Sequence, residues 1–285
     1  MIIHIPCQGG LGNQLFIWSA AHKIASNFNC PVKITYLDHK KSIMQRELFP
    51  LIKYCDHSIT LSNSLVFGKS LNWFDILQDH VPKFKSNIAL KYIMNDYKNP
   101  HLAPSELRVR SLVTRGYFQN HEMVAMVMNQ IAPELKAYLN KQVKKIDMKS
   151  QIAVHVRRGD YLNAANFYGV LTRQYYSKVL GGDQKYLLFM EDKQQVKDFE
   201  NDPNLIRTID QKDANAWETL AMFVDSDQLH MANSTLSWWG AKLSENSKRL
   251  ITMPFPWHNQ GHAFQKNLIS DKFKIIESEF EKYGN

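Results

Sequence analysis

Residues 152–161 read Ile-Ala-Val-His-Val-Arg-Arg-Gly-Asp-Tyr, and the fold of the second half is read outward from this run. Ile152–Val156 is short and nearly all apolar, as a strand covered on both faces must be. It stops at two arginines, a glycine and an aspartate, the kind of punctuation that marks a chain leaving a sheet. Further apolar runs follow at Tyr186–Met190, Leu205–Ile209, Gln228–Ala232 and Leu250–Met253. Helical patterns separate them at Gln174–Leu180, Gln194–Glu200, Ala216–Val224 and Leu236–Ser244. Such alternation predicts an α/β domain with a doubly wound, mostly parallel sheet. Ligands of these sheets sit beyond the carboxyl ends of the strands, which is where the arginines lie.

The first half begins in the same way. Ile2–Pro6 reads as a buried strand, a glycine-rich turn follows, and Leu15, Trp18, Ala21, His22 and Ala25 recur at helical spacing. With Val32–Leu37 as the next strand, this is a βαβ unit, the seed of a parallel sheet. From about 40 to 110 the apolar clusters Phe49–Ile52, Leu65–Phe67 and Trp73–Leu77 show no clean period, and the region is assigned to helices and loops. Residues 122–145 read as helical. The polar, lysine-rich stretch Lys141–Lys149 is the expected boundary, giving domains 1–147 and 148–285.

With 285 residues, 44% hydrophobic and 22% charged, the chain can bury a large core and is not disordered. The formal charge of +8 favours anionic partners. The lysines are scattered and not clustered with aromatics, so nucleic acid is not the expected one. Cys7, Cys30 and Cys55 are too few, and wrongly spaced, for a disulfide framework or a zinc site. Met1–Cys7 lacks the basic start of a secretory signal. No apolar run approaches the roughly 20 residues of a membrane span. The expected location is cytoplasmic, with peripheral contact at the inner membrane as the one membrane association open to it.

Three stretches carry chemistry. In the first, His155–Asp160, Arg157 and Arg158 suit a phosphate-binding loop, because guanidinium offers a planar fork of donors and stays charged. A fixed cation there stabilises the charge a departing nucleoside diphosphate gains. The plainer reading is a surface Arg–Asp ion pair. The second stretch, Asn233-Ser234-Thr235 through Gly240, runs from a strand into a helix. Its free N–H groups and hydroxyls make an anion site, or simply cap the helix. The third is Gly9-Gly10-Leu-Gly12-Asn13-Gln14. A strand, this Gly-x-Gly turn, a helix and a later Asp38 look like a dinucleotide site, which would make the protein an NAD(P)-dependent oxidoreductase. Leu15 occupies the third glycine position, however, and the arginine pair would go unexplained. Asp225-Ser-Asp227 matches a metal–diphosphate D-x-D, but falls where a helix runs into a strand, on the wrong edge of the sheet.

Taken together these segments resemble the α-1,2-fucosyltransferases of glycosyltransferase family 11. That family carries a G-G-x-G-N-Q near its start, H-x-R-R-x-D midway and N-S-[ST]-[FL]-S-W-W-G late, here Gly9–Gln14, His155–Asp160 and Asn233–Gly240. Gly116-Tyr117-Phe118-Gln119, Tyr168–Leu171 and Tyr175-Tyr176 also fit its pattern. The resemblance implies a GT-B-like architecture, two Rossmann-like domains with mostly parallel sheets facing a cleft. It implies GDP-β-L-fucose as donor, a β-galactoside-terminated acceptor, inversion to an α linkage, no metal or other cofactor, and a place in surface polysaccharide (O-antigen) synthesis. It assigns Arg157 to the diphosphate, sets His155, Arg158, Asn233, Ser234 and Thr235 beside the donor, and turns Gly10, Gly12 and Asn13 toward donor or acceptor. Family members often carry an acidic pair ahead of the late motif; here Glu218 is followed by Thr219, leaving Glu218 as the donor-binding candidate. The family's Ser-Asp-Asp strand end reads Met190-Glu191-Asp192. Asp160 is a candidate base for the acceptor proton, or a holder of an arginine.

Overall fold

A computed structural model describes residues 2–7, 9–36, 59–62, 90–95, 111–142, 146–244, 249–260 and 263–282. The apolar clusters at 49–52, 65–67 and 73–77, with Asp38 and Cys55, lie outside the described residues. The chain divides into two compact units, Met1–Glu134 and Leu135–Asn285. The division falls a few residues before the lysine-rich stretch to which the sequence assigns it.

The first unit opens with β1 (Ile2–Cys7), α1 (Leu11–Phe28) and β2 (Val32–Tyr36), the expected βαβ unit. Ile3, Ile5 and Cys7 are fully buried on β1, and Leu15 through Trp18 are fully buried on α1. Asn29 stops the helix in the left-handed conformation at φ 44°, which short polar side chains tolerate. Three further strands, β3 (Ile59–Ser62), β4 (Leu90–Asn95) and β5 (Ser111–Arg115), complete a five-stranded sheet in the order β3-β2-β1-β5-β4, parallel throughout. The first two of these correct the assignment of 40–110 to helices and loops. Strands of 4 and 6 residues are too short to show a period, and their partners lie far away in sequence. After β5, α2 (His121–Leu139) runs across the division between the units and buries Val124, Val127, Ile131, Leu135 and Leu139, a stripe at helical spacing.

The second unit contains β6 (Ile152–His155), α3 (Arg173–Val179), β7 (Tyr186–Phe189), β8 (Leu205–Ile209), α4 (Ala216–Asp225), β9 (Gln228–His230), α5 (Thr235–Leu243), β10 (Ile251–Phe255) and β11 (Lys274–Glu277). The predicted helix at 194–200 is a 3-10 segment, Lys193–Phe199, interrupted at Val196. The sheet is parallel and six-stranded, ordered β11-β10-β9-β6-β7-β8. Its sixth strand, β11, was not foreseen: it is an edge strand whose Lys-Ile-Ile-Glu is largely exposed. One face of the sheet packs Val154, Leu188 and Ala232 against Tyr175, Tyr176 and Phe199. From β6 the chain builds outward through β7 and β8, then returns to the other side of β6 and builds through β9 to β11. The strand order therefore reverses between β6 and β9, and in sheets of this kind ligands bind at that point, beyond the carboxyl ends.

Candidate active site

The reversal point of the second unit brings two of the three motifs together. His155 ends β6, and Arg157, Arg158 and Asp160 follow it; beyond β9 come Asn233, Ser234 and Thr235. The hydroxyl of Tyr161 donates to the Asn233 carbonyl at 2.8 Å. Asn233 is fully buried, and its amide donates to the carbonyls of Tyr168 at 3.1 Å and Gly169 at 3.0 Å. Asn233 thus holds the turn in place rather than facing outward. Ser234 is the N-cap residue of α5, yet its side chain makes no cap hydrogen bond. The first turn of α5, not capped by Ser234, brings its N–H groups and the positive end of its dipole to the side of the arginine turn.

The two arginines have separate duties. Consecutive side chains of an extended chain point opposite ways, and here they diverge. The Arg158 guanidinium makes a two-pronged pair with Asp198 at 2.6 and 2.7 Å and donates to the Gln195 carbonyl at 2.6 Å. It ties the turn to the 3-10 segment. Arg157 instead lies against the Tyr161 ring, 5.3 Å from its centroid. Its Nη1 donates to Glu191 and its Nη2 to Asp160, the latter at 2.6 Å. Burial works against its charge, but Glu191, Tyr161 and Asp160 more than offset this and hold its pKa above the ordinary value. His155 is buried against Phe223, ring centroids 5.1 Å apart. Burial first, and then Arg157, push its pKa down to about 3. At neutral pH it is an uncharged imidazole under the arginine.

Glu218 lies in the first turn of α4, beyond β8. Its carboxylate accepts from the Asn215 N–H at 2.8 Å, while the Asn215 side chain accepts from the N–H groups of Trp217 and Glu218. This is a reciprocal capping box, so one carboxylate oxygen serves the helix. Asp225 and Asp227 lie at the opposite edge of the sheet, where the Asp227 N–H donates to Gln151, just ahead of β6. Trp238 and Trp239 are packing residues, both fully buried.

Gly10, Gly12 and Asn13 belong to the first unit, at its own reversal point between β1 and β5. The Asn13 carbonyl oxygen accepts from Gln119 at 2.9 Å, so the segments after β1 and β5 meet. Gly9 has φ +81°, and a Cβ there would come within 2.5 Å of the Asn13 amide; only glycine serves at that turn. The residue that sequence reading missed as a site component is Glu191. Its signal was its place at the carboxyl end of β7, the strand beside β6.

A guanidinium, helix-terminal N–H groups and hydroxyls at one reversal point suit a phosphorylated, anionic ligand. Against known proteins, the model of glycosyl transferase family 11 matches residues 83–270. The chain belongs to glycosyltransferase family 11. This family 11 enzyme is 26% identical to the O-antigen biosynthesis glycosyltransferase WbnK of Escherichia coli, covering 88% of this chain and 93% of that protein. It is 25% identical to an alpha-1,2-colitosyltransferase of Escherichia coli, covering 97% and 99%. Among solved structures it resembles the E. coli ADP-heptose LPS heptosyltransferase II with a TM-score of 0.50 and 10% identity, covering 97% of this chain and 90% of that one. The fold is accordingly α/β and GT-B-like, as the motifs implied. Among the described residues no helix is long and apolar enough to cross a membrane.

Proposed function

We propose that this glycosyltransferase moves L-fucose, with inversion, from GDP-β-L-fucose to the 2-hydroxyl of a terminal β-galactoside during bacterial surface polysaccharide synthesis. The observation that carries the reading is Arg157, a buried-edge guanidinium at the reversal point of a parallel sheet, next to the start of α5. The names of the two relatives support the remainder: one acts in O-antigen biosynthesis, and the other makes an alpha-1,2 linkage.

In this reading the acceptor hydroxyl attacks the anomeric carbon opposite the leaving GDP, through an oxocarbenium-like transition state. Arg157, with the N–H groups and hydroxyls of Ser234 and Thr235, stabilises the charge gathering on the diphosphate. These groups supply the positive potential that a metal ion would otherwise supply, and no metal or other cofactor is assigned. Arg158 and Asn233 keep the two turns in register, and His155 supports Arg157 from below as a neutral ring. Gly10, Gly12 and Asn13 serve the acceptor or donor from the first unit. Glu218 reads the base with the carboxylate oxygen its capping box leaves over. Asp160, once the donor claims Arg157, is released to take the acceptor proton. The enzyme works in the cytoplasm, in peripheral contact with the membrane that presents its acceptor, and without nucleic acid.

The test is calorimetric titration with GDP, UDP and NAD in EDTA, followed by transfer assays. GDP alone should bind, Arg157→Ala should abolish transfer without unfolding the protein, and GDP-fucose should label a β-galactoside at its 2-hydroxyl. Selective UDP or NAD binding would sink the reading. Colitose is fucose without its 3-hydroxyl, so preferential use of GDP-colitose would keep the mechanism and replace the donor sugar.

A further inference from the structure

We propose that Glu191 is the positioning residue of the active site, pinning one corner of Arg157 so that the opposite edge of its guanidinium faces the diphosphate; this rests on the reading of Arg157 just given. A single carboxylate does two things. Its Oε1 accepts from Nη1 of Arg157, and its Oε2 accepts from the backbone N–H of Arg158 at 3.3 Å. The Glu191 side chain also lies flush against the turn: a Cβ on Gly159 would sit 3.2 Å from its Cγ and 3.3 Å from its Cδ. A side chain at 159 would press on Glu191, which would have to shift by a few tenths of an ångström to stay under the turn.

The two carboxylates on Arg157 are not equivalent. The side chain of Glu191 is 13% exposed, and that of Asp160 is 67% exposed. Asp160 can swing into water when another anion arrives. Glu191 cannot leave without also abandoning the Arg158 N–H. The remaining edge of the guanidinium carries Nε, which is buried and has no hydrogen-bond partner among the described residues, and Nη2, which donates to the exchangeable Asp160. Nε–H and Nη2–H form the side-on fork with which arginine grips two oxygens at once. Glu191 occupies the one corner outside that fork, so its hold presents the fork instead of competing for it. Asp160 is the stand-in anion that a phosphate displaces.

The deciding experiment titrates wild type, E191A, E191Q, R157A and the R157A/E191A double variant with GDP and with guanosine, beside a thermal melt of each. E191A should weaken GDP binding on the order of 10- to 100-fold and leave guanosine within about twofold, because only the phosphate grip is lost. E191Q keeps the shape but has one acceptor oxygen for two donors, so it should fall between; it decides the matter if E191A does not fold. The double variant should bind GDP no more weakly than R157A, since Glu191 acts through Arg157. D160N should bind GDP at least as tightly as wild type. Unchanged GDP affinity in E191A or E191Q, parallel losses for guanosine and GDP, or additive losses in the double variant would each overturn the proposal. If wild type does not bind GDP, or R157A binds it normally, the functional reading itself has failed and Glu191 falls with it.

Discussion

The hydroxyl of Tyr161 and the backbone carbonyl of Asn233, 72 residues apart in sequence, meet at 2.8 Å and join the two turns that flank the strand-order reversal. The same Tyr161 ring stacks on Tyr168, centroids 4.5 Å apart, and lies beneath Arg157. Tyr161→Phe removes the donor and leaves a buried carbonyl without that partner, so stability should fall by about 1–3 kcal/mol. Thermal denaturation reads that loss. GDP affinity should drop with it, since Arg157 and α5 lose their common tie. A variant as stable as wild type would show that the contact contributes nothing.

Arg158 should behave differently from its neighbour. Its guanidinium is committed to Asp198 and the Gln195 carbonyl, so Arg158→Ala should lower stability by roughly 1.5–3 kcal/mol, the range for hydrogen bonds to charged groups. GDP binding by the folded fraction should fall far less than in Arg157→Ala. Lysine cannot restore the two-pronged pair, so Arg158→Lys should recover little. Chemical denaturation measured with GDP titration separates the two arginines; equal losses of GDP affinity would contradict the division of labour.

Part of this site was legible in the sequence and part was not, for physical reasons. β6, β7 and β10 were visible because strands buried on both faces read as apolar runs, and the arginines stood out because charge at the exit of such a run must have a use. β11 escaped because an edge strand is half in water and need not be apolar, and β3 and β4 because short strands show no period. The resemblance alone set Arg157 apart from Arg158; the residues themselves did not, since the physical separation comes from opposite side-chain directions and from partners 34 and 40 residues away. Glu191 was read only as a departure from a family pattern, because its function arises from lying beside β6 in space.

Acid should weaken the fold before the carboxylates protonate. Burial and then Arg157 hold His155 down at about 3, and burial and then Lys274 hold His230 down at about 4. In the unfolded chain both return to about 6.5. Above pH 6.5 neither state binds the proton and stability is full. Between 6.5 and about 4 the unfolded state takes protons that the folded state refuses, so each histidine removes roughly 1.4 kcal/mol per pH unit. Urea unfolding from pH 6.5 to 4.5 should show this slope. His230→Leu should flatten it by about one proton; an unchanged slope would mean that His230 titrates normally in the fold.

Chelation should not affect transfer. Asp225 and Asp227 sit at the amino edge of the sheet, and the four residues of β6, at about 3.3 Å each, put roughly 13 Å of strand between that edge and the Arg157 turn. Moreover, the Arg249 guanidinium already lies among them, donating to the carbonyl of Phe223 at 2.8 Å and to Ser226 Oγ at 3.1 Å. Positive charge is in place on both edges: Arg249 at the Asp-Ser-Asp corner, and Arg157 with the α5 terminus at the reversal point. The transfer rate in excess EDTA should therefore equal the untreated rate. Asp225→Asn and Asp227→Asn should each keep activity within about twofold, as surface substitutions remote from a site do. Loss of transfer in EDTA that manganese restores would place the diphosphate on a metal ion and remove Arg157 from the leading role assigned to it.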